Sequence, residues 1–251
     1  MSQNSSFEGQ VVMVVGAGNG IGRATLGLLI ERGARVFALD NNQDALSEIQ
    51  TLFSLGSDQV KALDVSDEEA IKKVVAEIFA SEGRIDALVN SAGMTGPTNR
   101  RLNTITWPEF ERVLQVNLFG AIWLTQQLIP IMQGQKYGRI VHVSSIAGKE
   151  GNPGMSPYVT SKAGMIGFIK GVAKEVATEG ISINAVAPAV IRTPMNADTS
   201  DETLKYMIAR IPMGRVGEAE EVAETICFAA SKACSFTTGF TFDTSGGRAT
   251  Y

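Results

Sequence analysis

The sequence predicts a single α/β domain spanning residues 1–251, built on a doubly wound parallel sheet of about seven strands with helices on both faces. Three observations carry this expectation. Short, continuous β-branched runs alternate with stretches of helical apolar period, a glycine cluster follows the first run directly, and no composition break interrupts the 251 residues. Continuous apolar strands joined by helical crossovers belong to sheets covered on both sides.

Residues 10–16 (QVVMVVG) read as the first strand, and the stretch through Arg32 as a helix closed by Gly33. Strand, helix and strand then recur at 35–40, 43–55, 59–64, 67–82 and 85–90. A long helix over 107–133 leads to a strand at 139–144, a helix at 156–179 and a strand at 182–187. Residues 188–217 hold Pro188, Pro194 and Pro212, no strand signal, and one short helix near 202–210. A connection of that length in a compact domain reads as a functional lid over a substrate site. A helix at 218–231 and a strand at 240–242 complete the chain.

Composition narrows the function. With 22 Lys plus Arg against 26 Asp plus Glu, the net charge is −4, and no basic run marks a nucleic-acid binder. No apolar run approaches the roughly 18 residues of a membrane span, and the start of the chain lacks a signal-peptide pattern, so the expected location is cytoplasmic. Cys227 and Cys234 are too few for a disulfide framework or thiolate metal site and read as buried small hydrophobes. No metal site is expected.

The segment Gly16-Ala17-Gly18-Asn19-Gly20-Ile21-Gly22 lies between the first strand and first helix, where backbone N–H groups can approach a pyrophosphate. A plain glycine turn is the alternative. Asp40 closes the next strand, within the roughly 20-residue spacing at which a carboxylate meets the adenosine ribose hydroxyls. It would repel a 2′-phosphate, and Asn41-Asn42-Gln43 supplies no compensating cation, which selects NAD over NADP. Asp64 and Val65 end the third strand, where a carboxylate and its neighbouring backbone can meet the adenine edge. Asn90-Ser91-Ala92-Gly93 ends the fourth with small residues. In a parallel sheet all these strand ends share one edge.

Tyr158 and Lys162, at i and i+4 on a helix, set an ammonium beside a phenol and would lower its pKa. Ser145 follows the fifth strand at the same edge and can hold a substrate oxygen. A bare Tyr-x-x-x-Lys is also compatible with a solvated helix pair. His142, the only histidine, lies three residues before Ser145, so the two point to opposite faces, and no G-x-S-x-G elbow supports a hydrolase.

Taken in chain order, the glycine turn at Gly16, Gly20 and Gly22, the Asn90 to Gly93 run, Asn117, Ser145, Tyr158 and Lys162 make the sequence resemble the short-chain dehydrogenase/reductase family over essentially its whole length. The resemblance implies a Rossmann-type fold, Tyr158 as general acid/base, and Lys162 tuning it and binding the nicotinamide ribose. It further implies that Ser145 orients substrate and Asn117 holds a relay water, with Pro188, Ile191 and Thr193 at the nicotinamide carboxamide. Val15 and Ala189 depart from the threonine and glycine common in the family. The resemblance also implies a homo-oligomer, dimer or tetramer, packed through the helices at 107–133 and 156–179. Close packing there would offset the cost of Gly164, Gly167 and Gly171 inside a helix.

Among members of the family, residues 145–153 (SIAGKEGNP) and the tail 243–251 look most like those of enzymes oxidising 2-keto-3-deoxy sugar acids. The expected partner is therefore a small-molecule substrate, contacted by Ser145, Asn152, Met155 and Tyr158. Its carboxylate would meet Lys149, Arg192 or Arg248, each equally readable as a surface charge. Met94, Met155 and Met195 are either core residues or adaptable pocket walls. The alternatives are a 3-oxoacyl-(acyl-carrier-protein) reductase, which Asp40 and the acidic Glu175 and Glu179 disfavour, and a non-catalytic NAD sensor, which the complete Asn, Ser, Tyr, Lys set disfavours.

Overall fold

The computed structural model describes residues 6–194 and 200–251. Its centre is one all-parallel sheet whose strands run β1 (Val11–Val15), β2 (Arg35–Asp40), β3 (Val60–Ala62), β4 (Ala87–Asn90), β5 (Gly138–Val143), β6 (Ile181–Pro188) and β7 (Thr241–Thr244). Their order across the sheet is β3-β2-β1-β4-β5-β6-β7. The order reverses direction between β1 and β4, which opens a crevice at the carboxyl ends of the central strands.

Alternation along β1 explains why the strands are apolar throughout. Val11, Met13 and Val15 join one core cluster with Leu124, Met165 and Ile169, while Val12 and Val14 join a second with Leu26, Leu29 and Ile226. The first face is covered by α3 (Glu68–Glu82), α5 (Gly120–Gln135) and α7 (Ser156–Val176). The second is covered by α1 (Gly20–Glu31), α2 (Gln43–Leu52) and α9 (Ala219–Ala230).

Element boundaries have local causes. Asn42 caps α2 by accepting from the Ala45 N–H, and Asp67 caps α3 through Ala70. Gly83 ends α3 in the left-handed region. The helix expected at 107–133 is interrupted: α4 (Trp107–Leu114) passes through a π-helical turn, Gln115–Phe119, into α5. The third strand is only three residues long, so Asp64 lies beyond its end. A short turn, α6 (Ala147–Glu150), precedes α7 and was not expected.

Within 188–217, Ile191 pairs with Gly217 through a parallel bridge, and α8 (Asp201–Ile208) is capped by Ser200. Met195 lies outside the described residues. No described helix is long and apolar enough to cross a membrane.

Candidate active site

The glycine turn is fixed by close approach. The Gly16 and Ala17 N–H groups donate to the Leu39 carbonyl at 2.8 and 3.1 Å, which ties the turn to the end of β2. Gly16 has φ +75°, and a Cβ there would stand 2.6 Å from the Ala92 nitrogen; a Cβ on Gly22 would overlap the Gly16 carbonyl oxygen. Asn19 precedes α1 without making a side-chain cap, and the first turn holds no acidic residue. The N–H groups opening α1 are thus left to an anion from outside the helix.

Asp40 accepts from the Gly18 N–H through Oδ2 and from the Asn42 N–H through Oδ1, both at 2.9 Å. Each oxygen keeps a lone pair for a hydroxyl donor. Asp64 accepts from Ser66 N–H and Oγ at 2.9 and 2.7 Å. Burial pushes its carboxyl up, but the Ser66 bonds and Arg112 outweigh that and hold it below the usual carboxylate range.

A cleft of about 900 Å³ runs along the carboxyl edge of the sheet. Gly16, Asn19, Gly20, Ile21, Asp40, Asp64 and Val65 line one end, and Ala92, Gly93, Pro188, Ile191 and Thr193 its middle. Ser145, Asn152, Met155, Tyr158, Lys162 and Arg248 line the other end, with Met94. The cradle without Cβ atoms, the open helix terminus and the paired Asp40 fit a dinucleotide.

Gly22, Asn90 and Asn117 support the cleft from behind. Asn90 accepts from the Ala92 N–H at 3.2 Å and donates to His142 Nδ1 at 3.2 Å. Thr125 Oγ1 donates to the Ala121 carbonyl, so it accepts from His142 Nε2 at 2.9 Å, which assigns the proton to Nε2. Burial, then Lys162, lowers the His142 pKa to about 3, so the ring is a neutral strut. Asn117 sits in the π turn and donates to the Met94 carbonyl (2.9 Å) and Ser161 Oγ (3.0 Å), while accepting from the Met94 N–H (2.8 Å). Both its amide hydrogens are used inside the protein.

Tyr158 and Lys162 lie on one face of α7, with the ammonium 5.8 Å from the centre of the tyrosine ring. Lys162 Nζ donates to the Val143 carbonyl at 2.7 Å, and burial lowers its pKa to about 8. For Tyr158 the balance differs from the sequence argument: burial pushes the hydroxyl up, and the opposing influence is a hydrogen bond with Ser145 rather than the Lys162 charge. The physical reason is that the ammonium is directed at a β5 carbonyl. Ser144 Oγ is spent on the Lys162 carbonyl, which leaves Ser145 as the serine facing Tyr158.

Two of the three cations expected at a substrate carboxylate are not brought to the cleft. Lys149 is buried against Asp243 at 2.9 Å and lies over the Tyr251 ring. Arg192 is 71% exposed and pairs with Glu218. Arg248 alone lines the cleft, and it is joined there by Arg210, Tyr206 and Met207, which the sequence reading placed only within a short helix of the lid.

Known proteins match this arrangement closely. Residues 16–249 fit the family model described as Enoyl-(Acyl carrier protein) reductase. The chain is 41% identical over 247 residues to 2-dehydro-3-deoxy-L-rhamnonate dehydrogenase (NAD(+)) of Sphingomonas sp. (strain SKA58), covering 98% of this chain and 97% of that protein. It is also 41% identical over 243 residues to 3-oxoacyl-[acyl-carrier-protein] reductase FabG of Thermotoga maritima, covering 96% and 98%. The crystal structure of gox2181 superposes with a TM-score of 0.91 at 31% identity and 96% coverage of both chains. Sheet, cleft and relatives together define an NAD(P)-dependent oxidoreductase. The chain belongs to the short-chain dehydrogenase/reductase family.

Proposed function

We propose that the protein uses NAD to interconvert a secondary alcohol and a ketone on a 2-keto-3-deoxy sugar acid. The observation that carries the cofactor choice is Asp40, held by two backbone N–H groups at the mouth of the glycine turn with no cation in the three residues after it. The substrate class is supported by the similarity to the Sphingomonas dehydrogenase, whose name gives both NAD(+) and a deoxy sugar acid.

When bound, NAD supplies the hydride acceptor for the carbinol carbon and a positive charge near Tyr158. The chain handles the proton: Ser145 holds the substrate oxygen, and Tyr158 Oη takes the hydroxyl proton as the C–O bond becomes a carbonyl. The buried Lys162 ammonium, fixed on Val143, would orient the cofactor ribose, while the Ser145 hydrogen bond favours the phenolate. Asn117 braces Met94 and, through Ser161, the start of α7. A relay water at Asn117 would rest on Oδ1 or on the backbone of the π turn.

Residues 188–217 would act as a lid within a single catalytic domain. Ala163, Gly167 and Gly171 form an exposed stripe of small residues on α7, and Cβ atoms on the two glycines would meet nothing. That open stripe supports a homo-oligomer, dimer or tetramer, with a second copy packed on the helix. Two unpaired thiols, Cys227 and Cys234, agree with a reducing cytoplasm.

A second reading, reduction of 3-oxoacyl groups on a carrier protein, is favoured by the equal identity to the Thermotoga reductase. Initial rates on a panel of sugar acids and a 3-oxoacyl thioester, each with both cofactors, separate the two. The expected outcome is oxidation of a sugar acid with kcat/KM for NAD at least about tenfold above that for NADP, a gap that Asp40→Ala narrows. Thioester reduction with NADPH, and inertness toward every acid, would assign the carrier-protein reaction instead.

A further inference from the structure

Three segments distant in sequence meet at the substrate end of the cleft. The tail contributes Arg248, the end of α6 and the turn beyond it contribute Glu150 and Asn152, and the segment following α8 contributes Arg210. Arg248 Nε donates to Glu150 Oε2 at 2.9 Å, and its Nη2 to Asn152 Oδ1 at 3.2 Å. The Arg210 guanidinium approaches the same Glu150 oxygen at 3.8 Å and reaches the Tyr206 hydroxyl at 3.4 Å.

Two guanidiniums therefore share the Glu150 carboxylate, a surplus of positive charge within this cluster on a cleft wall that also carries Glu202. Arg248 is the stronger receptor of the two, because its side chain is only 5% exposed and held from two sides. A guanidinium carries five N–H donors, and these contacts among the described residues engage two of them. The others are free to grip an anion in the planar, paired manner that suits a carboxylate. Other cations nearby are already committed: Lys149 to Asp243, and Arg112 to Asp64 and Ser66 at the adenosine end.

We propose that Arg248, assisted by Arg210, is the subsite that recognises the substrate carboxylate, and that Glu150 is a positioning residue holding both guanidiniums at the mouth. This rests on the hydroxy-acid reading above and deepens it. An uncharged acyl chain seated there would bury surplus charge without a partner, so the same pair discriminates against acyl thioesters. Arg210 follows α8, so the subsite includes a residue of segment 188–217.

The test compares 2-dehydro-3-deoxy-L-rhamnonate with its primary amide at saturating NAD, for the unmodified enzyme and for Arg248→Met, Arg248→Lys and Arg210→Met. Arg248→Met is expected to raise KM for the acid at least about tenfold with a much smaller change in kcat, and to leave KM for the amide nearly unchanged. Arg248→Lys should recover part of the loss, and Arg210→Met should raise the acid KM by about threefold. NADH binding, followed by fluorescence, reports whether each variant is folded. If Arg248→Met does not bind NADH, the acid-to-amide KM ratios of Arg248→Lys and Arg210→Met decide. An active enzyme whose ratio is the same in every folded variant overturns the subsite but not the hydroxy-acid reading. An unmodified enzyme that turns over no 2-keto-3-deoxy acid overturns both.

Discussion

The two ends of the cleft are built by different means. The end at the glycine turn is built from backbone: the Gly16 turn is tied to Leu39 and packed against Ala92, and Asp40 is held by two N–H groups from neighbouring loops. The other end is held by side-chain ion pairs between segments about a hundred residues apart, such as Lys149 with Asp243 and Arg248 with Glu150. Backbone geometry tolerates few substitutions and so fixes a shared cofactor site. Ion pairs can be exchanged one at a time, so substrate choice can change without disturbing the cofactor. That is consistent with relatives of equal identity whose names give different substrates.

The pair proposed to react, Tyr158 and Lys162, lines the same cleft, and removing it should have the largest effect. Tyr158→Phe deletes the proposed proton acceptor but leaves Lys162 on the Val143 carbonyl and the glycine turn untouched. We expect kcat to fall at least about a thousandfold while the NADH dissociation constant stays close to its original value. A variant that retained most of its turnover would dissociate Tyr158 from the chemistry.

This contrast also decides what was legible in the sequence. The placement of Gly16, Asp40, Tyr158 and Lys162 at the cleft could be read directly because each depends on local spacing: a turn after a strand, a strand end, a helical i and i+4. The surroundings of Tyr158 could not, since the direction of the Lys162 ammonium depends on a β5 carbonyl 19 positions away. The cations failed for the same reason. Lys149 and Arg248 look alike in sequence, and only the folded tail commits one to Asp243 and opens the other to the cleft. The π turn at Asn117 left no composition signal within an otherwise apolar helical pattern.

His142 offers a smaller effect that separates the rigid end from the rest. Its folded pKa of about 3 lies below the ordinary imidazole value of 6.5, so the unfolded chain binds the extra proton first as the pH falls. The stability due to the neutral ring is therefore complete above about pH 6.5 and is lost progressively toward pH 3, by up to about 1.4 kcal/mol per pH unit. Carboxylates with lowered pKa, such as Glu109 and Glu221, add their loss only at lower pH. Denaturant titrations of the unmodified protein and His142→Gln between about pH 4.5 and 6.5 should thus give a shallower acid dependence in the variant. Identical slopes would mean that the ring takes up a proton without unfolding. Because the folded ring stays neutral over this interval, the bonds from His142 to Asn90 and from Asn90 to the Ala92 N–H persist, and NADH affinity of the folded protein should not change on their account.

The smallest effect concerns motion at the substrate end. The base of the proposed lid is anchored, since Arg192 N–H donates to the Gly217 carbonyl at 2.9 Å and Gly217 N–H to the Val190 carbonyl at 3.0 Å, with Ile191 and Ile211 buried beside them. By contrast, none of residues 202–208 in α8 is fully buried. A helix of eight residues without a buried face has little tertiary support and should open locally at small free-energy cost. In hydrogen exchange, amides at 202–208 are expected to exchange fast in the enzyme alone and to slow when NADH and a hydroxy acid are both present. Those of Arg192 and Gly217 should be protected throughout. If α8 is already as protected as Gly217 without ligand, the segment is part of the scaffold and both ends of the cleft are equally rigid. If it slows with NADH alone, the lid answers to the cofactor, and the link through Arg210 to the substrate carboxylate is not what closes it.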